Sequence, residues 1–179
     1  MTSDVAPRRV AFGLGSNVGD RLSYLQGAVE ALVAERRVTG VAVSKVYETE
    51  PVGGPDQADY LNAVLVVDST LEPPELLDVA RHVEAAAQRE RVVRWGPRTL
   101  DVDILAVAGV VMSEPNLTLP HARVRERAFV LRPWSDVDPE FIVEFDDAGR
   151  REEVSVNQLS EKAHDAGVRE TSFTLRLRP

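Results

Sequence analysis

Two carboxylates, Asp101 and Asp103, flank a valine in the segment Thr99-Leu100-Asp101-Val102-Asp103-Ile104. On a β-strand alternate side chains share a face, with residues i and i+2 about 6.6 Å apart along the strand. Thr99, Asp101 and Asp103 then project to one side, while Leu100, Val102 and Ile104 anchor the other side in a core. Two neighbouring anions repel, and a divalent cation relieves that repulsion. Mg²⁺ takes one or two carboxylates, keeps waters and completes its shell with substrate phosphates. An amphipathic strand with a wetted polar face gives the same pattern without chemistry, and an isolated Asp-x-Asp favours that reading. The flanks change the balance. Arg91, Arg94 and Arg98 precede the pair, and Trp95 sits among them. Arginine matches phosphate through its planar fork of donors, and an exposed indole offers a stacking surface. Anion clamp, aromatic platform and metal ligands fall within the 13 residues from Arg91 to Asp103.

The elements that must hold these groups follow from periodicity and turn chemistry. Residues 10–14 read as a first strand, residues 15–19 as a turn, and Asp20 as the N-cap of a helix reaching about residue 37. Residues 41–47 form a second strand in this reading, and the Pro- and Gly-rich residues 50–55 a loop. Residues 60–67 are a third strand. Pro73-Pro74 suits the first turn of a second helix. Residues 89–97 read as a long mobile loop, residues 99–107 as a strand, and residues 110–112 as its short partner after Ala108-Gly109. A short helix is expected over residues 126–131, another over 154–163, and a closing strand over 171–177. The order β-α-β-β-α-β fits a ferredoxin-like α+β sandwich, with a mainly antiparallel sheet. Helices cover one face of such a sheet and leave the other open for a ligand. No repeat or linker divides the chain, so residues 1–179 are expected to form one domain.

Composition limits the alternatives. The chain has no cysteine, which excludes disulfides, thiol nucleophiles and Cys-based metal sites. The net charge of -8 opposes broad nucleic-acid binding. No apolar run reaches the length of a bilayer span, and the N-terminal residues lack a signal-peptide core, so a cytoplasmic protein is expected. With that net charge, any phosphate ligand requires local positive charge. Of 21 cationic residues only Lys45 and Lys162 are lysines, leaving 19 arginines, seven of which cluster at 89–98 and 123–127.

Several segments together resemble a known family. Residues 94–104, Arg-Trp-Gly-Pro-Arg-Thr-Leu-Asp-Val-Asp-Ile, are similar to the signature of 6-hydroxymethyl-7,8-dihydropterin pyrophosphokinases. Gly13-Leu14-Gly15-Ser16-Asn17, Thr49-Glu50-Pro51-Val52-Gly53, Asp59-Tyr60-Leu61-Asn62, Pro120-His121-Ala122-Arg123 and Arg127-Ala128-Phe129 resemble further family segments in the right order, over about residues 9–135. The resemblance implies a ferredoxin-like fold, ATP as co-substrate and two Mg²⁺ ions on Asp101 and Asp103, with Arg89 and Arg91 also catalytic. It implies a nucleotide site of Glu84, Arg91, Trp95, Arg98, Ile104, Thr118, His121 and Arg127. It implies a pterin site of Thr49, Pro51, Val52, Tyr60, Asn62, Trp95, Asp101 and Phe129. A monomer without nucleic-acid or membrane partners is expected. His82 and His164 are expected to be structural or surface residues. The chain departs from the family pattern at Glu50, where proline is frequent, and at Ala122, where some members carry an aromatic residue. Its residue 89–95 loop is one residue shorter than in some relatives, and residues 139–179 match no family segment.

Other classes fit less well. Gly13-x-Gly15 follows a strand, but Gly19 stands one residue too far for a dinucleotide fingerprint, and the strands do not alternate with helices. An RNA-binding ferredoxin-like module would interleave basic and aromatic residues on its third strand, and this one does not. A homologue that kept the fold and lost activity is opposed by the intact carboxylate pair.

Overall fold

In the computed structural model of the protein, residues 6–51, 57–87, 99–164 and 167–177 are described. β1 (Arg8–Ser16) leads through a turn to α1 (Arg21–Val33). Asp20 caps that helix by accepting the Ser23 N–H at 3.1 Å. β2 (Val38–Val43), β3 (Tyr47–Thr49) and β4 (Tyr60–Ser69) follow, then α2 (Pro73–Ala86) and β5 (Asp101–Val107). The antiparallel sheet runs β3-β4-β1-β5, with β2 also on β4, which is the expected ferredoxin-like order.

The single strand expected over residues 41–47 is two. Opposite β4 the register shifts by one residue between Val43↔Leu65 and Tyr47↔Asn62. Ser44 fills the break: its hydroxyl accepts the Val64 N–H at 2.9 Å and donates to the Lys45 carbonyl at 2.7 Å. A second bulge lies in β5, where Ala11↔Ala106 is followed by Phe12↔Ile104 and Leu105 is the extra residue. Leu105 packs below β1, 3.0 Å from where a β-carbon on Gly13 would stand, so only glycine fits there without displacement.

The core has two layers. Phe12, Leu14, Leu65, Val102 and Ile104 face α1 and α2 with Leu25, Val29, Leu32, Leu76 and Ala80. The other face of the sheet is not left wholly open, contrary to the expectation from the strand order. α3 (Ala128–Val137) lies across it, burying Ala11, Val64, Val66 and Leu105 beneath Val130, Leu131 and Trp134. Among the described residues, Gly15, Asn62 and Asp101 are not part of this second layer, although Gly15 and Asn62 are buried.

Past residue 107 the chain differs more from expectation. The partner of β6 (Met112–Glu114) is β7 (Leu117–Leu119), not β5. The helix expected over residues 126–131 is present as the longer α3, Ala128–Val137, after a 3₁₀ turn over Val124–Glu126. β8 (Ile142–Asp147) and β9 (Arg150–Ser155) form a hairpin, and α4 (Val156–Lys162) starts at a Ser155–Gln158 capping box. The expected closing strand over 171–177 is instead β10 (Val168–Glu170), paired with β3, and an extended tail. No helix among the described residues is long and apolar enough to cross a membrane.

Candidate active site

Strand registers assemble the site. Asn62, Gly15 and Asp101 are direct neighbours across β4, β1 and β5, and Gly13 and Asp103 form the next row on the same face. Gly15 is the floor. A β-carbon there would lie 3.4 Å from Asn62 Oδ1, 3.8 Å from Tyr60 Cδ1 and 4.0 Å from Asp101 Cβ. Asn62 is buried and donates to Thr49 Oγ1 at 2.8 Å, which fixes its amide. Thr49, Tyr60, Asn62 and Asp101 therefore lie around Gly15 at the end of the sheet beyond the α3 layer, and Pro51 follows β3 two residues after Thr49.

On the neighbouring side, Arg127 Nη1 donates to Asp103 Oδ2 at 3.1 Å, and its guanidinium carbon stands 5.7 Å from the centre of the Phe129 ring. Phe129 is in the first turn of α3 and packs on the second core layer. His121 is tied to β5 through its backbone N–H, which donates to the Leu105 carbonyl at 2.8 Å. Its Nδ1 accepts the Arg123 N–H at 3.1 Å, leaving the proton of the neutral ring on Nε2, 3.8 Å from Asp103 Oδ2. Burial holds His121 below its ordinary pKa, against the upward pull of Asp103. Burial and the Asp101 charge hold the Asp103 carboxyl above the ordinary carboxylate range, against His121 and Arg127.

The carboxylates have the chemistry of a hard cation site. Two like charges share one face, and the charge of Asp101 opposes the ionisation of Asp103. Among the described residues no three His, Asp or Glu side chains group around a point. The pair suits an ion that takes few protein ligands and many from phosphate and water, as Mg²⁺ does.

Glu84 does something the sequence did not reveal. It is buried on α2, and its Oε1 accepts the Val102 N–H at 2.9 Å, between the two aspartates. β5 is an edge strand, so this carboxylate supplies the acceptor that a further strand would have given. Glu84→Ala is expected to cost about 1–3 kcal/mol by stranding that N–H, while Glu84→Gln keeps an acceptor and most of the stability. Thermal melts of the two variants separate these outcomes. Ile104 is only 4% exposed in the main core, so its side chain points away from Asp101 and Asp103. Thr118 is exposed on β7. Val52, Arg89, Arg91, Trp95 and Arg98 lie outside the described residues. Sequence reading also assigns no role to Asn17, whose amide donates to Gln57 Oε1 at 2.9 Å and to the Ala58 carbonyl at 3.0 Å. These bonds tie the turn after β1 to the approach to β4. An Asn directly after Gly-Ser was the available signal.

Residues 11–139 match the family of 7,8-dihydro-6-hydroxymethylpterin-pyrophosphokinase, HPPK. The chain belongs to this family. A 2-amino-4-hydroxy-6-hydroxymethyldihydropteridine pyrophosphokinase of Methylorubrum extorquens is 47% identical over 135 residues, covering 75% of this chain and 85% of its own. The enzyme of the same name from Bacillus subtilis is 45% identical over 124 residues, 69% of this chain and 74% of its own. Among solved structures, the wild-type HPPK-DHPS of Plasmodium falciparum superposes with a TM-score of 0.64 at 14% identity over 90% of this chain. That likeness concerns the fold, and the present chain spans 44% of the longer one. The HPPK match ends at residue 139, so the β8–β9 hairpin, α4 and β10 lie beyond it.

Proposed function

We propose that this chain transfers the pyrophosphoryl group of ATP to the hydroxymethyl group of 6-hydroxymethyl-7,8-dihydropterin, releasing AMP, as a step of folate biosynthesis. The observation that carries this reading is the row Asn62–Gly15–Asp101. It sets a fixed, buried amide and a carboxylate on either side of a side-chain-free floor, inside a chain of the HPPK family. A flat heterocycle with amide-like edges fits such a floor, with Asn62 and Thr49 reading the edge and Tyr60 and Phe129 framing the ring. Its hydroxymethyl group then points toward Asp101.

Asp101 and Asp103 hold two Mg²⁺ ions in this reading, with remaining ligand positions left to phosphate oxygens and water. Such ions would supply neutralisation of the triphosphate charge, and Asp101 and Asp103 would hold them. The chain's own residues orient and shield. Arg127 and His121 meet phosphate charge beside Asp103, and Arg89, Arg91 and Arg98 add positive charge from the preceding segment. Trp95, in the same segment, is assigned to shielding the ligands from the water that would hydrolyse ATP. The hydroxymethyl oxygen forms its bond to the β-phosphorus as the bond from that phosphorus to the bridging oxygen of AMP breaks. No covalent enzyme intermediate is needed, so catalysis is positioning and charge neutralisation.

The described residues beyond 139 join the same domain through β10 and the buried Leu175. The use of ATP supports a cytoplasmic location. Incubation with ATP, Mg²⁺ and the reduced hydroxymethylpterin is expected to give AMP only when the pterin is present. Formation of ADP, or no turnover, would refute the assignment.

A further inference from the structure

The segment after residue 166 wraps the strand that carries Thr49, although it lies outside the stretch that matches the family. β10 pairs with β3 as Val168↔Thr49, Arg169↔Glu48 and Glu170↔Tyr47. The Thr171 N–H and hydroxyl both donate to the Val46 carbonyl, at 3.0 and 2.8 Å. The tail then crosses α1, where the Arg176 N–H donates to Gln26 Oε1 at 2.8 Å and Gln26 Nε2 donates to the Arg176 carbonyl at 3.0 Å. Leu175 is buried in the main core, and Leu177 packs so closely on Gly40 that a β-carbon there would meet it at 2.6 Å. This is a docked strap rather than a loose end.

One side chain of the strap spans both flanks of the candidate pterin loop. Arg169 Nη2 donates to Asp59 Oδ2 at 2.8 Å, just before β4, and stands 3.6 Å from Glu48 Oε2 on β3. Its Nη1 is 4.0 Å from Glu50 Oε1. Arg21 completes the network from α1, with Nη1 donating to Glu48 Oε1 at 2.9 Å and to the Asp59 carbonyl at 2.7 Å. Without these cations Glu48, Glu50 and Asp59 would repel one another where β3 and β4 must stay in register. That register sets Tyr47 opposite Asn62 and Thr49 opposite Tyr60, and so permits the Asn62–Thr49 bond. Glu50, which stands where proline is frequent in the family, gains a tether in Arg169.

We propose that Arg169 is a positioning residue for the pterin-side row, acting through Glu48 and Asp59 and never touching the substrate. The proposal rests on the pterin assignment above. The Arg169 side chain is 50% exposed, so each pair is worth little and the effect is modest and salt-sensitive. Arg169→Ala is expected to raise the KM for the hydroxymethylpterin about fivefold at saturating ATP, a factor worth about 1 kcal/mol. The values of kcat and of the KM for ATP stay within about twofold. Arg169→Lys recovers most of the loss, since one ammonium can still sit between Glu48 and Asp59. Backbone amide exchange at Thr49 and Asn62 is expected to speed up in the alanine variant. Gln26→Ala, which loosens the far end of the same strap, controls for general destabilisation and leaves the pterin KM unchanged. If the wild type gives pterin-dependent AMP and Arg169→Ala leaves pterin KM and amide exchange at wild-type values, this role is wrong and the activity stands. The role is equally wrong if Gln26→Ala raises the pterin KM as much as Arg169→Ala does. If the wild type gives no pterin-dependent AMP, both readings fall.

Discussion

Replacement of Asp101 or Asp103 by asparagine is expected to lower turnover by at least about 10²–10³-fold while leaving the protein folded. Loss of a residue that merely orients a metal ligand costs 10–100-fold, and loss of one donor to a developing charge costs 10²–10³-fold. A direct ligand should exceed the first figure and reach the second. Folding, by contrast, depends on the opposite face of β5, where Leu100, Val102 and Ile104 are buried. Asparagine keeps an acceptor for Arg127 at position 103. The pH dependence has a definite sign. Burial and Asp101 raise the folded-state pKa of Asp103, so the metal-free folded protein holds that proton more tightly than the unfolded chain. Stability then falls as pH rises from the ordinary carboxylate range through the raised folded value, and the loss persists at neutral pH. Asp103→Asn removes this penalty. Its melting temperature in chelator is expected to fall less between acid and neutral pH than that of the wild type. Near-normal turnover in Mg²⁺, or a large loss of stability, would contradict the metal assignment.

The sheet was legible because its strands advertise their two faces. Val10, Phe12 and Leu14 alternate with small residues, and Leu100, Val102 and Ile104 alternate with polar ones. The expected strand order and the N-cap at Asp20 are both present. What periodicity could not show is register and cover. The Ser44 bulge depends on a hydroxyl taking a ladder position, which no local pattern records. The helix expected to stop at residue 131 continues as α3 to Val137, because Pro133 is accommodated within it. The β8–β9 hairpin turns on Ala148 and Gly149, both at positive φ. An Ala in that conformation is unusual, and it weakens the turn signal that Asn-Gly would have given. The candidate site was legible in the carboxylates and in Arg127, which are chemical types. It was less legible in Glu84, whose role follows from an unpaired strand edge rather than from its own neighbours.

Gly15 was visible only as part of a turn, and it carries the second large expected effect. In the sheet it separates Asn62 from Asp101, and its missing side chain is what leaves room between them. The three distances of 3.4, 3.8 and 4.0 Å to Asn62, Tyr60 and Asp101 are ordinary contacts, so a β-carbon fits without displacing any protein atom. Gly15 is buried, and Gly15→Ala, which adds that one β-carbon, is therefore expected to fold with stability within about 1 kcal/mol of wild type. The added methyl occupies space assigned to the pterin. Intrusion of that kind into a close-packed site costs about 1–3 kcal/mol, or roughly 5- to 150-fold in affinity. The value of kcat/KM for the hydroxymethylpterin should fall toward the upper end of that range, because the ring has Asn62 on one side and cannot slide away. The KM for ATP should change far less, since Arg127 and His121 lie on the Asp103 side. A variant that melts early but binds pterin normally would make Gly15 a folding residue instead. A variant with equal losses for both substrates would place the pterin elsewhere on the sheet.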